Sequence, residues 1–282
     1  MRFLETKAFY YLLALQILLI ILAIFDYQNI LTGASILGLA LIGIPHGAND
    51  VLHRHHTPFG KMGIFLSVYI GLILVYGALW LIFPLVSLLL FLAVSVHHFG
   101  QTVFESRHKH HLSSYLWGGL FIFLPVAIHS NEAFSLFSEM GNSELVPPDV
   151  KLMIGLSVFL AVFMMLVIWK NDSRRMWLRI LIQVVTLGIW FYYAPLLEGF
   201  LLAFILWHAV PSSKQQFDFF IANNPKGKSQ FWRTMIVYTF FAFLGLLGFA
   251  YFEVLDPAFL FILLSLITLP HALVIHQTMP KQ

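Results

Sequence analysis

Long apolar runs separated by short polar connectors fill nearly the whole chain. A helix needs about 20 mostly apolar residues to cross a bilayer. That criterion predicts ten spans, over 8–25, 29–48, 62–82, 84–105, 113–130, 151–169, 177–195, 198–213, 231–251 and 257–278. Phe83-Pro84 reads as a tight turn between the third and fourth. Pro257 opens the last one at the first helical turn, where its missing N–H has no intrahelical partner to lose. The polar stretch 131–149 reads as the longest outer loop. The stretch 214–230, with Asn223-Asn224-Pro225 and Gly227, reads as an inner surface connection. The first run has no small-residue cleavage site, so it reads as a membrane helix rather than a signal peptide.

Charge orients this arrangement. With the N-terminus placed in the cytoplasm, Lys151 alone of the 16 Lys and Arg residues falls outside. That asymmetry is the positive-inside pattern. The outer connectors collect acids instead, including Asp26, Glu132, Glu139, Glu144, Asp149, Glu198, Glu253 and Asp256. The expected architecture is an all-α polytopic protein of the cell inner membrane. It is a single helical domain over 1–282 with about ten transmembrane helices and both termini cytoplasmic.

Composition agrees. The chain is 60% hydrophobic and 10% charged, against roughly 25% charged in soluble domains. The pI near 9.1 reflects loop residues that set orientation, so no nucleic-acid partner is expected. There are no cysteines, which excludes disulfides, thiolate metal sites and cysteine nucleophiles. A transition metal would be held by imidazole and oxygen, a donor set that suits iron, zinc, copper or manganese.

Thirteen histidines supply the imidazoles. His53, His55, His56, His108, His110 and His111 sit beside Arg or Lys in predicted inner loops and read as solvated surface. His129 and His276 read as interfacial. His46, His97, His98, His208 and His271 are different, because they fall inside apolar runs, where an ionisable group is costly unless it is used. The stretch around which the chain is organised is Gly43-Ile44-Pro45-His46-Gly47-Ala48-Asn49-Asp50. Pro45 and Gly47 loosen its helix, which a membrane tolerates when neighbours satisfy the freed backbone groups. Spans two, four, eight and ten all run inward, and His46, His98, His208 and His271 lie at similar depths in them. At 1.5 Å per residue those depths differ by roughly 10 Å or less. One such histidine alone reads as a hydrogen-bonded core residue; four on co-directional helices read as a shared metal site. His97 and its neighbour His98 point about 100° apart on a helix, so only one faces that site. Asp50 is four residues after His46 and shares its face, where it can orient a ligand or cap the helix. The 29 Phe, 10 Tyr and 7 Trp residues either face lipid or line an apolar tunnel.

These motifs resemble a known family. Pro-His-Gly-x-x-Asp at 45–50, His-Phe-Gly at 98–100 after Ser95, Trp-His at 207–208 and the late Pro-His at 270–271 are similar to the bacterial and archaeal Brp/Blh family. Its members are membrane β-carotene 15,15′-dioxygenases that make retinal, commonly for microbial rhodopsins. The resemblance implies a carotenoid substrate, Fe(II) and O₂, and makes His46, His98 and His208 metal ligands. The family's third motif usually carries a second histidine four residues on, where this chain has Ser212. Three outcomes stay open: His271 completes the site, three imidazoles suffice, or activity has changed. His271 is favoured by its depth and its Pro-His setting. Two other classes are carried alongside. One is a bis-histidine haem electron carrier; the other is a non-catalytic rhodopsin or retinal assembly partner, for which Ser212 is the best hint.

Overall fold

The apolar runs fold as helices, since a backbone in hydrocarbon must satisfy its own N–H and C=O groups. The structure is a computed structural model that describes residues 6–50, 59–104, 111–171, 173–223, 226–251 and 256–278. His53, His55, His56, His108 and His110 lie outside the described residues. The helices are α1 (Lys7–Ile24), α2 (Gln28–Gly38), α3 (Pro45–Ala48), α4 (Phe59–Ile82), α5 (Pro84–Phe104), α6 (His111–Ile128), α7 (Ser130–Gly141), α8 (Val150–Asn171), α9 (Arg174–Tyr193), α10 (Leu196–Phe204), α11 (Val210–Asn223), α12 (Gly227–Tyr251) and α13 (Pro257–Thr278). Among the described residues nine spans are long and apolar enough to cross a membrane, or ten if the bent pair α6 and α7 is one span. The chain is a multi-span helical membrane protein. Leu74, Val75, Leu81, Leu156, Phe159, Val162 and Leu166 are exposed on its outside, the apolar belt that hydrocarbon would cover.

Two spans contain a widened, π-helical turn: Leu39–Gly43 links α2 to α3, and Ile205–Ala209 links α10 to α11. In the first, the Ile44 N–H reaches back five residues to Leu39 O at 2.7 Å. Each wide turn is followed at once by a proline near the start of the next helix, Pro45 or Pro211. Proline removes a donor and crowds the carbonyl four residues back, and an extra residue in the turn relieves that crowding. Such turns cluster at functional sites. Here one precedes His46 and the other contains His208.

Two connectors expected as loops are largely helical. The stretch 131–149 contains most of α7, which leaves α6 at 107°. Ala133, Leu136, Phe137 and Met140 repeat at helical spacing on its inner face, while Glu132 and Glu139 are exposed. Asn142 ends it in the left-handed conformation, φ 46°. The inner stretch 214–230 is helical as far as Asn223, because Pro211 falls in the first turn of α11 and does not stop it. The Lys214–Asp218 pair one turn on, at 2.7 Å, supports that helix.

α5 and α6 pack backbone to backbone. A Cβ on Gly118 would lie 1.8 Å from Val96 O, and one on Gly100 would lie 2.1 Å from Ser114 O. Only glycine allows that approach. It explains the glycine of the His-Phe-Gly motif: Gly100 sets the position of α5, and with it His98.

Candidate metal centre

His46, His98 and His208 each offer a ring nitrogen within 4.8 Å of the others. They come from α3, α5 and the wide turn after α10. All three are buried, at 5%, 3% and 2% exposure. The ring pairs are edge to face, with centroids 5.4 Å apart for His46–His208 and 4.5 Å for His98–His208.

His271 on α13 stands beside this triad and is not one of the three whose ring nitrogens lie within 4.8 Å of one another. It is also buried, and its ring centroid lies 5.1 Å from that of His46 and 4.9 Å from that of His98. A Cβ on Gly47 would lie 3.8 Å from the His271 ring, an ordinary van der Waals contact.

Hydrogen bonds settle which nitrogen of two rings faces the cluster. His46 Nδ1–H donates to Gly43 O in the wide turn, a carbonyl that can only accept. His271 Nδ1–H donates to both carboxylate oxygens of Asp50, at 2.8 and 3.0 Å. In both rings Nε2 therefore carries the lone pair, and it has no hydrogen-bond partner. Neither nitrogen of buried His98 has one. Buried polar atoms are nearly always partnered, so unpaired nitrogens on neighbouring buried imidazoles could hold a metal ion. A ligating histidine whose other N–H is fixed by a carboxylate or a carbonyl is the usual arrangement around bound metals.

The rings open on a cavity of about 40 Å³ lined also by Gly43, Ile44, Phe99, Phe204, Leu264, Ile267 and Thr268. A water needs roughly 10–15 Å³ on this measure. The cavity thus accommodates an ion and one or two small ligands, and its imidazole donors with no thiolate fit a first-row transition metal. Phe204 stacks on His208 with centroids 5.4 Å apart, and Phe99 meets it edge-on at 4.6 Å. These walls are dry, which strengthens any electrostatic interaction inside.

The other sequence candidates fall around this centre. Asp50 supports His271 and accepts from Tyr69 Oη at 3.2 Å. His97 turns away from the cluster: its Nε2 accepts from Gln101 at 2.9 Å, and its ring lies 5.4 Å from Tyr115. Ser212 is buried and does not line the cavity. Its Oγ accepts from Gln216 Nε2 at 3.4 Å, and the same amide donates to His46 O at 3.2 Å. His129 Nε2–H donates to Phe191 O at 2.7 Å at the α6–α7 bend. His276 lies in α13.

Sequence reading missed Tyr69, Gln216 and Gln16. Gln16 Oε1 accepts from Trp207 Nε1 at 3.0 Å and so anchors the wide turn that carries His208 to α1. A glutamine inside an apolar run was the available signal for Gln16, whereas Gln216 sits between Lys214 and Asp218 in a polar stretch that gave none.

Comparison with known proteins places this geometry. The family model described as β-carotene 15,15′-dioxygenase matches residues 37–278. The chain belongs to that family. The match covers most of the chain and takes in all four histidines of the cluster. A similar β-carotene 15,15′-dioxygenase from Uncultured marine bacterium 66A03 is 29% identical over 113 residues, 37% of this chain and 40% of the relative. The chain thus matches less than half the length of that family member. No solved structure matches.

Proposed function

We propose that the protein is a non-haem iron oxygenase that cleaves β-carotene at its central 15,15′ double bond and releases two molecules of all-trans retinal. The observation that carries this reading is the buried cluster of His46, His98 and His208, whose ligand nitrogens lie within 4.8 Å of one another. Family membership supplies the substrate class. The balance is simple: the C15=C15′ bond breaks, each carbon gains one atom of O₂, and no outside reductant is needed. Bound Fe(II) supplies the O₂ chemistry that these side chains lack.

The residues have separable tasks. His46, His98 and His208 hold the metal as neutral imidazoles. His271 is the fourth ligand, in place of the family histidine replaced by Ser212. Asp50 and Tyr69 hold the His271 ring by its Nδ1 side. Four imidazoles would leave a bound first-row metal open to small ligands. Phe99 and Phe204 exclude water and steer an apolar chain past the histidines. The polyene enters sideways from the bilayer, and both termini face the cytoplasm of the inner membrane. The product suits a retinal-binding partner such as a microbial rhodopsin.

Three ring nitrogens that lie within 4.8 Å of one another favour a bare ion over the haem of an electron carrier, which would need only two axial histidines. The test is elemental analysis of detergent-purified protein together with retinal formation from added β-carotene. Stoichiometric non-haem iron and retinal are expected. His46→Ala, His98→Ala and His208→Ala should each lose both while remaining folded. A Soret band with stoichiometric haem and no other iron would overturn the reading.

A further inference from the structure

A second cavity, lined entirely by apolar residues, lies between α5, α6, α7, α10 and α13 and measures about 50 Å³. We propose that it is the subsite for one ring-bearing end of the carotenoid, and that it sets the length and end-group of substrates accepted. The inference deepens the functional reading above and rests on it.

Spacing along three helices is the argument. Leu92 lines this cavity and precedes His98 by six residues; Phe200 precedes His208 by eight; Phe261 precedes His271 by ten. At 1.5 Å per residue these are about 9, 12 and 15 Å. On all three helices the second cavity lies on the N-terminal side of the histidine, so the helices run the same way between the two cavities. A polyene about as long as the roughly 30 Å hydrocarbon core extends roughly 15 Å to each side of its central bond. An end-group seated in the second cavity therefore brings the central bond to the histidines.

The wall between the cavities suits such a chain. Phe99 lines the histidine cavity and lies 6.4 Å, centroid to centroid, from Phe200, which lines the second. Phe200 also meets Phe121 at 6.3 Å and Phe261 at 5.5 Å. This run of ring faces and edges offers dispersion contacts and no hydrogen bond, as a hydrocarbon requires. The amphipathic face of α7 that carries Ala133, Leu136 and Met140 roofs the cavity, which gives the sharp bend after α6 a purpose.

The test is a competition between β-carotene and a polyene aldehyde that has a ring at one end and is truncated at the other. Ala133→Phe puts a phenyl group into the cavity. We expect it to lower kcat/KM for β-carotene roughly ten-fold or more, to lower it less for the truncated substrate, whose ringless end can face the cavity, and to leave iron content unchanged. An unaltered ratio of the two rates in iron-replete variant overturns the proposal. Should Ala133→Phe lose iron through misfolding, Phe261→Ala decides. It enlarges the cavity and should raise the rate for ring-hydroxylated carotenoids relative to β-carotene; an unchanged ratio overturns the proposal. Wild-type protein that holds iron but cleaves no polyene overturns the activity reading, and this inference with it.

Discussion

Asp50→Asn isolates the support of the fourth imidazole from its presence. In the native protein the His271 ring donates to a buried carboxylate at 2.8 and 3.0 Å, and Tyr69 donates to the same group at 3.2 Å. An asparagine oxygen can still accept from Nδ1–H, so the tautomer survives and the charge does not. A hydrogen bond to a charged group contributes about 1.5–3 kcal/mol and a neutral one about 0.5–1.5. The difference, about 1 kcal/mol, corresponds to roughly five-fold weaker metal binding. Asp50→Ala removes the acceptor altogether and should weaken binding roughly 10–100-fold. The assay is competition for Fe(II) against a chelator of known affinity, under anaerobic conditions, with purified protein in detergent. His271→Ala is the reference and should lose iron as His46→Ala does. If His271→Ala and Asp50→Ala both bind iron as tightly as wild type while the other three histidine variants are empty, His271 is a structural residue and the four-imidazole assignment is wrong.

Ser212→His in the His271→Ala background should regain iron, because residue 212 lies one turn from His208; elemental analysis that stays empty refutes a spare ligand position there. Gly118→Ala should lower thermal stability by about 1–3 kcal/mol, since its methyl would meet Val96 O at 1.8 Å; an unchanged melting temperature would show that α5 and α6 separate freely. Reporter fusions within 143–148 should report outside and fusions at 224–226 inside; both on one side would overturn the orientation argued from the basic residues.

Much of the fold is written in composition. Runs of about 20 apolar residues can be little else than spans, so the segments and the all-helical class were readable from hydropathy. Connector structure was harder. α7 carries enough polar residues to look like a loop, and its apolar positions 133, 136, 137 and 140 reveal a helix only when read at helical spacing. The polar stretch from Lys214 on read as a connector, whereas the helix runs on from Pro211 as far as Asn223. For the centre, depth along co-directional helices singled out the four histidines that the structure packs together. The same counting could not give rotation about each helix axis. Which of His97 and His98 faces inward, and that Asp50 reaches His271 on a helix 221 residues away, depend on helix packing, which no local pattern encodes. Likewise, nothing in the local sequence shows that the indole of Trp207 is tied to Gln16 on α1.

The two widened turns have an implication for how such a centre can arise and vanish. A π turn is an α-helix with one residue too many, and everything beyond it is rotated by about 100° relative to a regular helix. Removing one residue from 39–43 or from 205–209 would give an uninterrupted span with the same hydropathy, and membrane insertion would hardly register the change. The histidine beyond or within the turn would swing off the centre. Gain or loss of the histidine cluster is thus one codon away in either span, in an ancestor or descendant that still inserts and folds as a membrane bundle.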